Sequence, residues 1–513
     1  MADKTLTIYY TTDLHGHFFP TTYADKAEAP LGLFRCAPRF ERGGNTLIID
    51  GGDTLQGSPL TTYCQKELRS PRPVAEILNR CHYDVVTLGN HDFNYGLGYL
   101  AEYLACGRFA CVCQNLRDEA GRARYPFLVK TLRNGLRVGI AGVVTDYVNV
   151  WEKPEHLAGI RITPPLDAAR EALEAMRGQV DLTVCVYHGG FERDLNTGRL
   201  LSQNGENIAY RLCEELDYDL VLTGHQHISF PGRTLCGTYT LQAAANGSEF
   251  HRITVTVGSG GKRITSERVP ATAPPDAALT RAFGALEASV QCWLDEPVGN
   301  LPRALERAPH LTMAARGSDI ARLFLDVQLR ASGAQLSAVS LANDAMGFAR
   351  SVTRRDILAS YPYSNTLMVL ELTGAQLRSV LERSASYFAL DANGVLTVAE
   401  PFLLPKVEHY NYDYYAGIRY RFDISRPVGE RVTALTFEGQ DVRPDDVFSM
   451  CLSNYRASGA GGYDAYAGCR VLRELPHEMS DLIMEYFERG LQAQLFEREL
   501  LQFEVTGGRL DAQ

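Results

Sequence analysis

The chain has 513 residues, a formal net charge of −10, 45% hydrophobic and 22% charged residues. That length exceeds what one hydrophobic core holds, so two or more domains are expected. The acidic balance excludes a nucleic-acid polymer as main partner, since phosphate backbones demand basic surface, but it leaves open a small anionic substrate, because bound cations invert the local field.

The N-terminus, Met1-Ala2-Asp3-Lys4-Thr5-Leu6, enters a strand-like run at once. It lacks the charged segment, apolar segment and small-residue cleavage site of a signal peptide, which predicts a cytoplasmic protein. A chain trimmed of its leader, working in a periplasm or outside a cell, would read the same. No stretch reaches the roughly 18–20 apolar residues needed to span a bilayer, so no membrane partner is expected. The 12 cysteines sit at irregular positions, often inside apolar runs, the pattern of reduced core thiols.

From Thr5 to about Val257, short β-rich runs alternate with helical patterns. The strand-like runs are Leu6–Thr12, Thr46–Asp50, Asp84–Leu88, Phe109–Cys113, Leu136–Val144, Leu182–Tyr187 and Asp219–Thr223. Helical patterns lie between them at Pro73–Arg80, Leu166–Arg177 and Asn207–Glu215. This alternation marks an α/β layered domain. A proline-rich stretch, Val269–Asp276, follows, and Ala277–Leu294 reads as one helix. The boundaries read as 1–270 for the first domain, 271–297 for linker and connecting helix, and 298–513 for a second domain of α+β character. In the second domain Asp319–Arg330 reads as helix and Thr366–Leu372 as strand. Gly374–Tyr387 reads as a helix with Thr373 as N-cap, and Tyr410–Arg421 and Asp446–Ser453 read as strands.

Five of the strand-like runs in the first half end in side chains suited to metal ions. They are followed by Asp13-Leu14-His15, Gly51-Gly52-Asp53, Gly89-Asn90-His91-Asp92, His188-Gly189-Gly190 and Gly224-His225-Gln226-His227. Open α/β sheets bind ligands beyond the carboxyl ends of their strands, so five segments should place polar groups on one edge. Asp13 and His15, two apart, share a face. A lone Asp53 carboxylate could bridge two cations, Asn90 offers a neutral carbonyl oxygen, and His188 precedes two glycines that admit close approach. His225 and His227 again project to one side. Taken singly, each residue has an ordinary reading as a turn aspartate or core histidine. Together they supply hard oxygens and imidazoles in a number that suits two adjacent divalent cations, a device for displacement at phosphorus. Such nitrogen and oxygen sites accept Mn, Zn, Mg, Fe or Co.

The order D-x-H, G-G-D, G-N-H-[DE], H-G-G, G-H-x-H resembles that of the calcineurin-like metallophosphoesterases. Over nearly its full length the chain resembles the 5′-nucleotidase family, which includes the 2′,3′-cyclic-nucleotide 2′-phosphodiesterase/3′-nucleotidases. The resemblance implies a four-layer α/β/β/α catalytic domain joined by a helix to a nucleotide-binding domain. It implies one metal held by Asp13, His15, Asp53 and His227, and another by Asp53, Asn90, His188 and His225. It makes His91 catalytic, where the residues alone would allow an outer histidine that only supports the ligands. Many family members hold that histidine with an Asp three residues on; here Asn94 stands there. His17 is expected near the metals without binding them.

In the second half, Tyr410–Ile418 and Asn454–Tyr463 are aromatic segments beside glycine. The resemblance assigns Tyr412 and Tyr455 as a pair stacking a nucleobase, and Asn343 as a substrate-binding amide. Both tyrosines must reach the metals for this to work. Phe348 and Gly461 replace substrate-contacting residues of the classical 5′-nucleotidases. These departures, Asn94, and the segment 188–207 with its Glu192-Arg193-Asp194 and Gly205-Glu206-Asn207 resemble the cyclic-phosphodiesterase branch. The implied activity is release of phosphate from nucleoside monophosphates, opening of 2′,3′-cyclic nucleotides, or both, by metal-activated water, with a small nucleotide or nucleoside as partner. Two alternatives stay open: a UDP-sugar or non-nucleotide phosphoester as substrate, and a metal-dependent nucleoside-binding protein without turnover. Oligomeric state is not readable.

Overall fold

The computed structural model describes residues 3–200, 205–363 and 365–510, so part of the segment 188–207 singled out above lies outside the described residues. The chain divides into two compact units, Met1–Gln291 and Cys292–Gln513. The division falls inside the helix Ala277–Leu294, which spans the range read from the sequence. Among the described residues no helix is long and apolar enough to cross a membrane.

The first unit is built on two six-stranded sheets. One runs in the order Gly261–Pro270, Glu249–Gly258, Lys4–Thr11, Thr46–Asp50, Val85–Val86, Ala110–Cys111. The other runs Phe230–Leu235, Thr238–Gln242, Leu220–Thr223, Leu182–His188, Arg137–Val144, Leu128–Thr131. Alternate residues of facing strands meet between the sheets. Leu6, Ile8 and Tyr10 of the first strand lie in one core with Leu47, Ile49, Val184, Val186, Leu220 and Leu222. Each such side chain, fully buried, contributes about 1.5–3 kcal/mol. The Tyr10 hydroxyl donates to the Thr223 carbonyl at 2.9 Å and ties one sheet to the other.

The outer faces are covered too, because parallel strands are buried on both sides. On the second sheet Ala141, Val143, Cys185, Tyr187 and Val221 pack with the helices Pro165–Met176 and Ala209–Glu215. On the first sheet's side, the helix Arg72–Arg80 buries Val74, Ala75, Ile77 and Leu78. The result is the α/β/β/α layering.

This topology positions the site. Lys4–Thr11, Thr46–Asp50 and Val85–Val86 are parallel neighbours in one sheet. Leu182–His188 and Leu220–Thr223 are parallel neighbours in the other. Their carboxyl ends therefore open on one edge, and all five ligand segments follow them.

The second unit has a five-stranded mixed sheet in the order Asp413–Ala416, Leu336–Ser340, Val447–Ser453, Thr366–Thr373, Arg470–Glu478. Helices Asp319–Ser332 and Gly374–Ala385 share its core. Thr373 caps the second of these as expected, accepting from the Gln376 amide while Gln376 bonds back to the Thr373 amide. The expected long strand Tyr410–Arg421 is instead two, Asp413–Ala416 and Arg419–Asp423, in different sheets. Gly417 turns the chain between them at φ 91°, a conformation open to glycine.

Candidate metal centre

Three of the five loops, those that follow Lys4–Thr11, Thr46–Asp50 and Leu220–Thr223, adopt backbone conformations that most residues avoid. Asp13, His15, Asp53, His225 and His227 have φ of 52°, 47°, 57°, 72° and 58°. A left-handed conformation costs a non-glycine residue roughly 1–2 kcal/mol, and such outliers collect where the surrounding structure over-determines them for function. The loops interlock through their backbones: Asp13 N–H donates to Gly52 O at 2.9 Å and His15 N–H to Asp53 O at 2.8 Å. Gly89 sits against the next loop so closely that a Cβ there would fall 2.1 Å from Asp53 Oδ1.

Two groups of side chains result, Asp13 with His15 and His227, and Asp53 with His188 and His225, each group with its ligand atoms within 4.8 Å of one another. His188 Nε2 lies 3.2 Å from Asp53 Oδ2 and 3.9 Å from Asp13 Oδ1, so the groups adjoin. His227 Nε2 lies 3.4 Å from Asp13 Oδ1. Asn90 Oδ1 is 2.8 Å from His225 Nδ1. The seven expected ligands are thus brought to one place.

Hydrogen bonds to the far side of the rings set which nitrogen is bare. His15 Nδ1–H donates to Gln56 O at 2.8 Å, and His188 Nδ1–H to Gly51 O at 2.7 Å. Each Nε2 is left as a lone pair aimed inward. Among the described residues the His188 Nε2 is buried without a hydrogen-bond partner, and His15 Nε2 stands 3.0 Å from His227 Nε2. Converging lone pairs beside two carboxylates fit a cation. The electrostatics agree. Burial would raise Asp13 and Asp53, yet the surrounding imidazoles hold both well below the ordinary carboxylate value. Burial would lower His188, yet Asp53 and Asp13 push it up to about 10, a field that favours positive charge at that point. Burial and the neighbouring His227 drive His15 down to about 3, which keeps it neutral.

Residues 6–229 match the family model of the calcineurin-like phosphoesterases, and residues 297–468 match that of the 5′-nucleotidase C-terminal domain. The chain pairs a calcineurin-like phosphoesterase domain with a 5′-nucleotidase C-terminal domain. It is 27% identical to a 2′,3′-cyclic-nucleotide 2′-phosphodiesterase/3′-nucleotidase of Salmonella typhimurium, over 89% of this chain and 82% of that protein. It is 24% identical to a trifunctional nucleotide phosphoesterase of Bacillus subtilis over 94% of this chain, which spans 38% of that longer protein. Among solved structures, a Staphylococcus aureus protein assigned to the 5′-nucleotidases superposes with a TM-score of 0.92 at 28% identity, covering 98% of this chain and 100% of that one. The phosphoesterase fold implies divalent metal ions, and the two adjoining groups above are where this chain can hold them.

Several residues of the phosphoesterase domain escaped the sequence reading. Glu206 accepts at 2.8 Å from His225 Nε2, so His225 presents Nδ1 towards Asn90 while a carboxylate orients its other nitrogen. Trp151 stacks on the same ring, with centroids 5.6 Å apart. Glu206 lies in the noted Gly205-Glu206-Asn207, but nothing in the spacing ties it to residue 225. Asp92, given no role from sequence, is a clamp: its carboxylate accepts from the amides of Asp53, Thr54, Leu55 and Gly89 at 2.8–3.0 Å. His91 N–H donates to Asp53 Oδ1 at 2.7 Å, and its ring lies 5.4 Å from that of His15. His17 belongs to neither metal group.

In the second unit, Asn343 donates through Nδ2 to Val407 O at 2.7 Å, and its Oδ1 has no hydrogen-bond partner among the described residues. The Asn343 backbone carbonyl accepts from His310 Nε2 at 2.8 Å, and the His310 ring stacks on His409 with centroids 4.4 Å apart. Tyr455 is half-buried. Tyr412, expected to stack a base, is 2% exposed, packs against Tyr387, Phe388 and Tyr414, and donates its hydroxyl to Ala314 O at 3.0 Å. Its ring faces belong to the core, and a base stacks there only if that packing opens.

Proposed function

We propose that the chain is a dimetal nucleotide phosphohydrolase, releasing phosphate from nucleoside monophosphates and opening 2′,3′-cyclic nucleotides. The observation that carries the reading is the pair of adjoining ligand groups, Asp13–His15–His227 and Asp53–His188–His225, with imidazole lone pairs turned inward by backbone carbonyls. When bound, two adjacent divalent cations supply Lewis acidity at phosphoryl oxygens and activate water.

The chain's own residues do the rest. Asp53, whose Oδ2 lies 3.2 Å from His188 Nε2 and 3.8 Å from His15 Nε2, would be the carboxylate that both ions share. Glu206 and the Gln56 and Gly51 carbonyls keep His225, His15 and His188 in one ring orientation, so no reorganisation is needed during reaction. His91, beside the ligand Asn90, holds a proton for the oxygen that leaves phosphorus. Asn343, with its unpartnered Oδ1, and Tyr455 bind the nucleoside. The buried position of Tyr412 favours a second reading, in which the substrate is a UDP-sugar or a phosphoester without a base.

The test is a substrate panel of 2′,3′-cyclic, 3′- and 5′-nucleotides, a UDP-sugar and glycerol phosphate, each with Mn²⁺, Mg²⁺, Zn²⁺ or Co²⁺. Turnover of nucleotides above the others supports the first reading. Turnover of glycerol phosphate or UDP-sugar alone supports the second, and no turnover of any would overturn both.

A further inference from the structure

One chain of hydrogen bonds runs outward from His91 and is not accounted for by metal holding. His91 Nδ1 lies 2.8 Å from Asn94 Oδ1. Asn94 Nδ2 donates to Glu152 Oε2 at 2.7 Å. Glu152 Oε1 in turn takes bonds from His156 Nδ1 and the Lys153 amide, both at 2.8 Å. The Glu152 side chain is 7% exposed, as little as a structural core carboxylate.

The order of atoms in this chain has a consequence. A carboxylate accepts and does not donate. The face of Asn94 turned to Glu152 must therefore be its NH₂ group, and the face turned to His91 must be its oxygen. An oxygen there requires a hydrogen on His91 Nδ1. The tautomer of His91 is then set two side chains along this hydrogen-bond chain, and Nε2 is the nitrogen left without a proton. Burial alone would raise Glu152, but the bonds from His156, Lys153 and Asn94 outweigh it and hold the carboxyl below its ordinary value. The group at the end of the chain is thus a carboxylate and not an acid that could donate.

We propose that Glu152 is a positioning residue for His91, acting through the Asn94 amide to keep Nδ1 protonated and Nε2 free for the reacting oxygen. This rests on the reading of His91 as the proton-handling group, and the experiment separates the two. Glu152→Gln keeps the shape but removes the direction: an amide at 152 can donate as well as accept, so Asn94 can flip and stabilise the other tautomer. The double variant Asn94→Asp/Glu152→Gln restores direction with the carboxylate and amide exchanged, because a carboxylate at position 94 accepts from both sides.

The readout is the imidazole ¹⁵N spectrum of histidine-labelled protein loaded with diamagnetic Mg²⁺ or Zn²⁺, with His91→Gln identifying the His91 signals. We expect one Nδ1–H tautomer in the parent, a second Nε2–H population in Glu152→Gln, and a return to one tautomer in the double variant. In step, kcat falls about tenfold in Glu152→Gln with KM within about twofold, and recovers in the double variant. A Glu152→Gln spectrum identical to the parent overturns the proposal. So does a double variant with parental melting temperature that keeps the mixed tautomers. If tautomers move as expected while kcat does not, the positioning by Glu152 stands and the role given to His91 falls.

Discussion

Asp13 and Asp53 each sit at positive φ, buried, and ringed by imidazoles. At such a point the residue type and the backbone shape are one requirement. Asp53→Asn halves the charge available to two cations, so metal content measured by plasma spectrometry should fall below two per chain and kcat by more than about a hundredfold. Glu206→Gln tests the outer layer. It leaves every ligand in place but loosens the His225 ring, so affinity for the metal, read by competition with a chelator, should drop about 10–100-fold. Unchanged affinity would make Glu206 a bystander. The sequence shows why these two differ in legibility. Asp53 follows two glycines at a strand end, a local signal. Glu206 reaches His225 from 19 positions away, with the helix Ala209–Glu215 and the strand Leu220–Thr223 between them, so no local spacing pairs the two.

At the scale of elements, strand positions were readable because alternation and β-branched runs name them. Thr46–Asp50 matches residue for residue, and Leu182–Tyr187 extends by one. Asp84–Leu88 shrinks to Val85–Val86, because the chain leaves the sheet early to bring Asn90 round. The loop clamp was not readable. Asp92 holds four amides of two loops, and its neighbours in sequence give no hint of them. Asp92→Ala leaves those amides buried without acceptors. At about 1–3 kcal/mol for each lost bond to a charged group, the unfolding free energy should fall by at least about 3 kcal/mol in urea titration, and metal binding with it. A loss under about 1 kcal/mol would mean that the loops hold themselves.

For the whole molecule, the two units answer different questions. In the second, aromatic motifs were legible but their exposure was not, since burial depends on strand breaks such as that at Gly417. Tyr412→Ala removes a core ring and should cost about 3–5 kcal/mol of stability. Tyr455→Ala should cost little stability and raise KM for nucleotides about 5–150-fold, the worth of one stacked base, with glycerol phosphate unaffected. Equal effects of Tyr455→Ala on both substrate classes would remove Tyr455 from base binding. In the first unit, chelation should abolish turnover and lower the melting temperature. Returning metal to about a hundred times its Kd should restore about 2.7 kcal/mol.

The interlocked loops also bear on how the chain is made. Asp13 takes its amide bond from His225, 212 positions later, and the last group cannot close before the ribosome has delivered His227. Until then a nascent chain carries carboxylates and imidazoles with no partner at the far edge. Each candidate group needs a residue of the fifth loop, His225 or His227, so on the proposed ligand set a fragment that stops before Gly224 should hold fewer ions than the full chain when both are dialysed against the same metal.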